Sequence, residues 1–283
     1  MPPTNQSTTV DLADDLTVHR LGFGAMRVTG PDILGRPEDE SAAIDVIRHA
    51  VECGVDFIDT ADSYGPGVSE RLLGAALDLE GAHADVVVAT KAGLLRNREG
   101  GWIAHGDPEY IHNQVLASRD RLGVDTINLY QFHRPDPDTP FEDSVHAFAE
   151  LKDAGLIEHV GLSNVTVEQL ETAREIVEIA TVQNRYNVAH RDDEDVLEAC
   201  EDYDIGFIPW YPMAAGELGD MGEELAAVAD NHDATPHQIA LAWLLEHSAV
   251  MLPIPGTSSR AHLEENVAAS GIELTDEEYE RLL

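Results

Sequence analysis

Short apolar, β-branched runs recur along the chain near residues 57, 86, 127, 158, 181, 206 and 251. Between them, apolar residues return at helical rather than alternating spacing. The pattern predicts helices over 39–53, 69–79, 107–122, 141–154, 166–176, 193–202, 223–231 with 236–246, and 259–269, with a short helix closing the chain. Residues 21–24 read as a further strand with a glycine-lined exit. Ahead of them, 10–19 alternates about Ala13-Asp14-Asp15 like a hairpin. Thr166 stands three before Gln169, and Thr275 three before Glu278, both in the spacing of a capping box. Ser69, with Leu72 and Leu73 a turn later, predicts another helix start. Gly123 and Gly155 stand where helices stop.

Strands alternating with helices imply a parallel sheet joined by right-handed crossovers. Eight such units in roughly 250 residues suit a closed α/β barrel, the (β/α)8 or TIM barrel, better than a doubly wound sheet. The expectation is one domain over 1–283, with an N-terminal arm and β-hairpin over 1–19. Gly22-Phe23-Gly24 lacks the third glycine of a Rossmann dinucleotide fingerprint.

Of the 283 residues, 43% are hydrophobic, enough for one large core. No apolar run approaches the roughly 20 residues that span a bilayer. Residues 1–9 lack the basic start and apolar stretch of a signal peptide. Cys53 and Cys200, far apart inside expected helices, read as small buried thiols. A cytoplasmic location, and a monomer or weak oligomer, are the expectations. The net charge of −37 is dispersed along the chain. Such a field repels nucleic acid and anionic membranes. It fits solubility at high salt, where self-repulsion is screened. Lys91 and Lys152 are the only lysines among 17 basic residues, the others being arginines.

The candidate chemistry lies at the predicted strand ends, where barrels of this kind place their sites. The strand at 55–58 ends in Asp59, with Tyr64 five residues on. The next, 85–90, ends in Lys91, and 127–132 ends in His133. The later strands end in Ser163-Asn164, Gln183-Asn184, Pro209-Trp210-Tyr211 and Pro255-Gly256-Thr257-Ser258. Taken singly, each has a plainer reading: Asp59 as a helix cap, Lys91 as a rim charge, His133 as a hydrogen-bonded structural residue, Trp210 as core. Together they gain weight, because one of two lysines falls beside an Asp, a Tyr and a His. Lys152 falls near a helix end, where a cation suits the dipole.

An unperturbed phenol titrates near 10, too high to exchange protons readily at neutral pH. A nearby ammonium favours tyrosinate and lowers that value, and a carboxylate holds the ammonium in place. A neighbouring His can bond a substrate oxygen. The set is suited to protonating an oxygen as charge builds on it. It lacks a Ser-His-Asp arrangement and the close His or carboxylate spacing of a metal site. Protein groups alone do not supply hydride, so a redox reading requires a nicotinamide cofactor.

Several segments resemble the aldo-keto reductases along nearly the whole chain. They are Leu21-Gly-Phe-Gly-Ala-Met26, Asp59-Thr-Ala-Asp-Ser-Tyr64-Gly, Thr90-Lys91, Leu129-Tyr-Gln-Phe-His133, Gly161-Leu-Ser-Asn164, Val182-Gln-Asn184 and Ile254-Pro-Gly-Thr-Ser258 through Glu265-Asn266. Residues 20–36 and 183–191 look most like the pyridoxal reductase (pyridoxine 4-dehydrogenase) branch. The resemblance implies reduction of a small carbonyl, or oxidation of the alcohol, with NADPH. Tyr64 would be the general acid, tuned by Lys91 and Asp59, and His133 would orient the carbonyl. Ser163, Asn164 and Gln183 would hold the nicotinamide carboxamide, and Trp210 would stack on the ring. The turn Gly24-Ala25-Met26 and the run Tyr211, Pro212, Met213 and Gly216 would pass along the cofactor. Gly256, Thr257, Ser258, Ser259, Arg260, His262, Glu265 and Asn266 would surround its adenosine end. Gly256 and His262 stand where many relatives carry a lysine and an arginine on the 2′-phosphate. Ser258, Ser259 and Arg260 are the expected replacements, which favours NADPH while leaving NAD open. A nucleotide-sensing barrel with little turnover is the competing reading. Trp102, on the loop after the third barrel strand, either walls the substrate pocket or lies on the surface.

Overall fold

The computed structural model describes residues 8–213 and 221–283. A hairpin, β1 (Thr9–Ala13) and β2 (Leu16–His19), comes first. Parallel strands then follow in the order β3 (Phe23–Gly24), β4 (Phe57–Asp59), β5 (Val87–Ala92), β8 (Ile127–Phe132), β9 (Ile157–Ser163), β10 (Ile179–Gln183) and β11 (Gly206–Phe207). Between β5 and β8 stands a small antiparallel pair, β6 (Leu94–Arg96) and β7 (Trp102–Ala104).

The sheet closes through residues 250–255. Phe207 N–H donates to Val250 O and Leu252 N–H to Phe207 O, while Gly22 and Gly24 N–H donate to Pro253 O and Pro255 O. The eighth strand expected over 250–254 is thus present in position but ladders sparsely, with one formal bridge, Phe207 to Met251. Its prolines have no N–H to give. The close approach also dictates glycine on the facing edge, since a Cβ at Gly24 would stand 2.6 Å from Ile254 O. The result is the (β/α)8 barrel that the alternation implies.

The helices form the outer layer: α1 (Glu40–Glu52), α2 (Val68–Ala76), α3 (Pro108–Leu122), α4 (Phe141–Asp153), α5 (Val167–Arg174), α6 (Glu194–Asp202), α7 (Met221–His232), α8 (Pro236–His247), α9 (Arg260–Ala268) and α10 (Asp276–Leu282). Thr166 and Thr275 make full capping boxes, and Gly123 ends α3 in the left-handed conformation. Lys152 sits in the last turn of α4 and pairs with Glu178 at 2.9 Å. Ser69 is not a cap. Helix α2 begins one residue earlier, after Gly67, and the buried Ser69 hydroxyl donates to Ala25 O while accepting from Thr60. Cys53 is the half-buried C-cap of α1 rather than an interior thiol, whereas Cys200 is buried in α6.

One apolar layer lies between strands and helices, built from residues such as Ile47, Leu73, Phe148 and Leu244. A second fills the barrel: Phe57, Leu129, Ile208 and Leu252 cluster with Val10, Leu12, Leu16 and Val18 of the hairpin. His19 N–H bonds the Asp56 carboxylate, and Leu12 presses on Gly206, both at strand starts. The hairpin therefore plugs the amino end of the barrel, and the carboxyl end remains for chemistry. Among the described residues, no helix is long and apolar enough to cross a membrane.

Candidate active site

Asp59 ends β4, with its carboxylate buried under the barrel mouth. Its Oδ1 accepts from Lys91 Nζ at 2.7 Å. Its Oδ2 accepts from Gln183 Nε2 at 2.8 Å and Gln131 Nε2 at 3.2 Å. Lys91 lies inside β5, which runs two residues further than the predicted strand, and its Nζ also donates to Thr60 O at 2.8 Å. Charges taken from water stay stable only when their hydrogen bonds are met. Here the ammonium and carboxylate meet each other and three further groups.

Tyr64, folded back by the turn after β4, places its ring centroid 5.3 Å from Lys91 Nζ. The His133 ring lies edge-on to it at 5.9 Å, and Trp102 at 6.3 Å. Trp102 thus walls the site from the β6–β7 hairpin, with the Arg96 guanidinium 3.7 Å over its ring. The His133 ring Nδ1 is 3.5 Å from Ser63 Oγ.

The electrostatics depart from the simplest reading of the motif. Burial, then Asp59 and Asp62, hold the Tyr64 phenol well above its ordinary value. The Lys91 charge, already met by Asp59, does not make it acidic. Burial also lowers Lys91 against the opposing pull of Asp59. Burial, then Lys91 and Arg134, push His133 well below the usual imidazole range, so it is neutral. The site therefore holds a protonated tyrosine beside a neutral histidine.

Two contributors are absent from the motif reading. Gln131, a polar residue facing inward in the apolar strand β8, is a third partner of Asp59. Asp62, within the Asp59–Tyr64 segment, is buried, accepts from Tyr110 OH at 2.8 Å, and leaves Oδ1 without a partner among the described residues. Burial and the neighbouring Glu70 raise it to about 8.

Several of the expected cofactor residues end or follow the barrel strands. Ser163 ends β9 and Gln183 ends β10. Asn164, in the left-handed region at φ 59°, donates through Nδ2 to His133 O and Ser163 Oγ. Trp210 backbone N–H bonds Asn184 O, and its indole Nε1 is buried without a partner among the described residues. Tyr211, also at positive φ, lies 5.3 Å from the Trp210 ring, and Asn187 holds its carbonyl. Pro212 is buried, and Met213 packs on Leu21, Leu241 and Ala269. Gly216 lies outside the described residues. The turn Ala25–Val28 follows Gly24, and its Met26, Arg27 and Val28, with Gly256, Thr257 and Ser258, line a cleft of about 510 Å³. Ser259 caps α9, Asn266 is buried, and His262 and Glu265 are exposed on that helix. Arg260 turns away from the cleft to the His49 ring at 3.0 Å. Among the described residues no cluster of His, Cys, Asp and Glu has the arrangement of a metal site.

These residues suit a nicotinamide dinucleotide. The bare Gly24 and Gly256 backbones meet in a cradle that a Cβ would fill, and the uncharged donors and acceptors of Ser163, Asn164 and Gln183 border Asp59 and His133. The Aldo/keto reductase family model matches residues 20–283. An uncharacterized oxidoreductase of Schizosaccharomyces pombe is 47% identical, over 98% of this chain and 90% of its own length. Pyridoxine 4-dehydrogenase of Escherichia coli is 40% identical over 92% of both chains. The crystal structure of an aldo-keto reductase from Klebsiella pneumoniae in complex with NADPH, 26% identical, superposes with a TM-score of 0.82 over 97% of this chain and 93% of that one. With the buried Asp59–Lys91 pair set against Tyr64 in a closed barrel, and with the match running from Arg20 to Leu283, the chain belongs to the aldo/keto reductase family.

Proposed function

We propose that the protein reduces the carbonyl of a small aldehyde or ketone with NADPH, a pyridoxal-like aldehyde being the first candidate. One observation carries the reading: a protonated, buried Tyr64 stands beside an ammonium fixed by Asp59 and a neutral His133. The E. coli relative, named for pyridoxine, supports the substrate class. The Klebsiella structure, solved with NADPH, supports the cofactor.

When bound, NADPH supplies the hydride. Tyr64 gives its proton to the carbonyl oxygen as negative charge gathers there. The Lys91 ammonium then faces the tyrosinate that remains and stabilises it. Neutral His133 donates a ring N–H to the same oxygen and sets the carbonyl in line. Gln131 and Gln183 keep Asp59 charged and Lys91 aimed. Ser163 and Asn164 hold the carboxamide of the nicotinamide, and Trp210 offers a flat face to the ring. In alcohol oxidation Tyr64 takes the proton back.

The test is NADPH consumption with a panel of aldehydes that includes pyridoxal, in wild type and Tyr64→Phe. Turnover abolished by the substitution supports the reading. Tight NADPH binding without turnover in wild type overturns it in favour of a nucleotide sensor.

A further inference from the structure

Gly256 cannot carry a side chain. A Cβ there would stand 2.8 Å from Gly24 O, backbone against backbone, at the seam that closes the barrel. The nearest side-chain atom to that vacant position is Cγ of Arg27, 3.6 Å away. Arg27 belongs to the turn after β3 and reaches the same place from the opposite side of the seam.

Arg27 lines the 510 Å³ cleft with Met26, Gly256, Thr257 and Ser258. Among the described residues it is the only lysine or arginine lining that cleft, and Asp32, Glu38 and Asp39 line it too. The Asp39 carboxylate is occupied in capping α1, where it accepts from Ala42 N–H. Arg27 is exposed and has no hydrogen bond or ion pair among the described residues. Arg36, Arg121 and Arg281 are each paired with a carboxylate. An unpaired guanidinium over a cleft, in a chain of net charge −37, is a cation held in readiness for an anion.

The surroundings say which anion. Barrels of this class often hold phosphate between the loops after their last strands and a following helix N-terminus. Here that loop is 256–258 and the helix is α9, opened by Ser259. Arg260, the basic residue nearest in sequence, is committed to His49 between Glu52 and Glu264 and does not line the cleft.

We propose that Arg27 holds a phosphate group of the dinucleotide in this cleft, supplying from the turn after β3 the cation that the Gly24–Gly256 contact forbids at position 256. The proposal rests on the NADPH reading above. A guanidinium can meet two phosphate oxygens at once, which an ammonium does not. The phosphate is either the 2′-phosphate, present only in NADPH, or the pyrophosphate, present in NADPH and NADH alike.

The experiment is equilibrium binding to the full chain without substrate, followed by tryptophan fluorescence or calorimetry. Wild type, Arg27→Ala and Arg27→Lys are each titrated with NADPH and with NADH. Arg27 is exposed, so both variants should keep the wild-type circular dichroism. For Arg27→Ala, the NADPH Kd is expected to rise on the order of ten- to a hundred-fold, and less for Arg27→Lys. An unchanged NADH affinity identifies the 2′-phosphate, and a parallel loss identifies the pyrophosphate; either supports the proposal. Wild-type binding that Arg27→Ala leaves untouched overturns it alone. A wild-type chain that binds neither nucleotide overturns the cofactor reading with it.

Discussion

Lys91 Nζ and Asp59 Oδ1 meet at 2.7 Å, and both side chains are buried. Removing one partner strands the other charge in a low-dielectric site. Lys91→Met or Asp59→Asn should therefore cost about 3–5 kcal/mol of stability. The double variant should recover part of that loss, because it leaves no lone charge. Denaturant unfolding of the four proteins measures the coupling. Stability that simply adds across the two substitutions would mean that the pair is not energetically linked.

In the proposed reaction Tyr64 hands over the proton, so Tyr64→Phe should lower kcat/KM for aldehyde reduction by roughly 10²- to 10⁴-fold. The ring and its contacts with Trp102 and His133 survive the change. NADPH affinity and melting temperature should thus stay near wild type. Loss of cofactor binding instead would assign the hydroxyl to cofactor binding rather than proton transfer.

Asp59, Lys91 and His133 are legible in the chain because each stands at or next to the end of an apolar run, where the barrel rule assigns meaning to a polar residue, and Tyr64 follows five residues after Asp59. Strand β8 is found at its predicted bounds for the same reason. Other features depend on contacts that no local pattern carries. The β6–β7 hairpin consists of two three-residue strands at the surface, too short for any period to show, so Trp102 stays ambiguous until the fold brings it to Tyr64. Ser69 has the chemistry of a cap, but the fold buries it against Ala25 and Thr60. The high affinity of Tyr64 for its proton comes from burial, then from Asp59 and Asp62, and a motif does not report the burial. Arg260 sits at a position where phosphate recognition is expected, and only the packing of α9 on α1 sends it to His49.

Asp62 predicts a specific pH dependence. Its ordinary value is 3.8, and in the folded chain burial, with Glu70 opposing ionisation and Tyr110 and Arg121 favouring it, leaves it at about 8. Between these values the folded chain holds a proton that the unfolded chain has lost. Stability from this group is full below about 4 and is lost as pH rises through about 8. His133 acts in the opposite sense: its folded value lies below the unfolded one, so its contribution is present above the unfolded imidazole value and is lost as pH falls. Asp62→Asn should flatten the decline between pH 6 and 8 on the order of a pH-independent baseline. Ionised Asp62 also strengthens the hold of Tyr64 on its proton, so wild-type reduction should slow above about 8. A variant profile that superimposes on wild type, in both stability and kcat/KM, would remove Asp62 from the account.

Trp102 is held as a wall, not left as a loose surface ring. Arg96 covers its face, and the same guanidinium donates to Ile33 O at 2.8 Å and to Asp32 O at 2.9 Å. Gly65 N–H also bonds Ile33 O, which ties this wall to the turn that carries Tyr64. Trp102→Ala should raise KM for aromatic aldehydes by roughly ten-fold, the scale of one aromatic contact, with kcat little changed. Arg96→Ala should show the same trend more weakly, since the ring remains but loses its support. Equal effects on aromatic and short aliphatic aldehydes would mean that Trp102 does not touch substrate.

The net charge of −37 gives the last expectation. Self-repulsion among dispersed carboxylates destabilises the compact state at low ionic strength. Raising salt from 0.1 to 1 M shortens the screening length from about 10 to about 3 Å and weakens that repulsion. The same salt weakens exposed pairs such as Arg36–Glu40 and Lys152–Glu178, but each is worth only about 0–1 kcal/mol. Repulsion among 54 acids against 17 bases should win. The melting temperature is therefore expected to climb by several degrees over that range, equally in NaCl and KCl, because screening depends on ionic strength and not on the cation. A flat or falling curve would show that the acids are spaced widely enough to ignore one another, and the charge would then need another explanation.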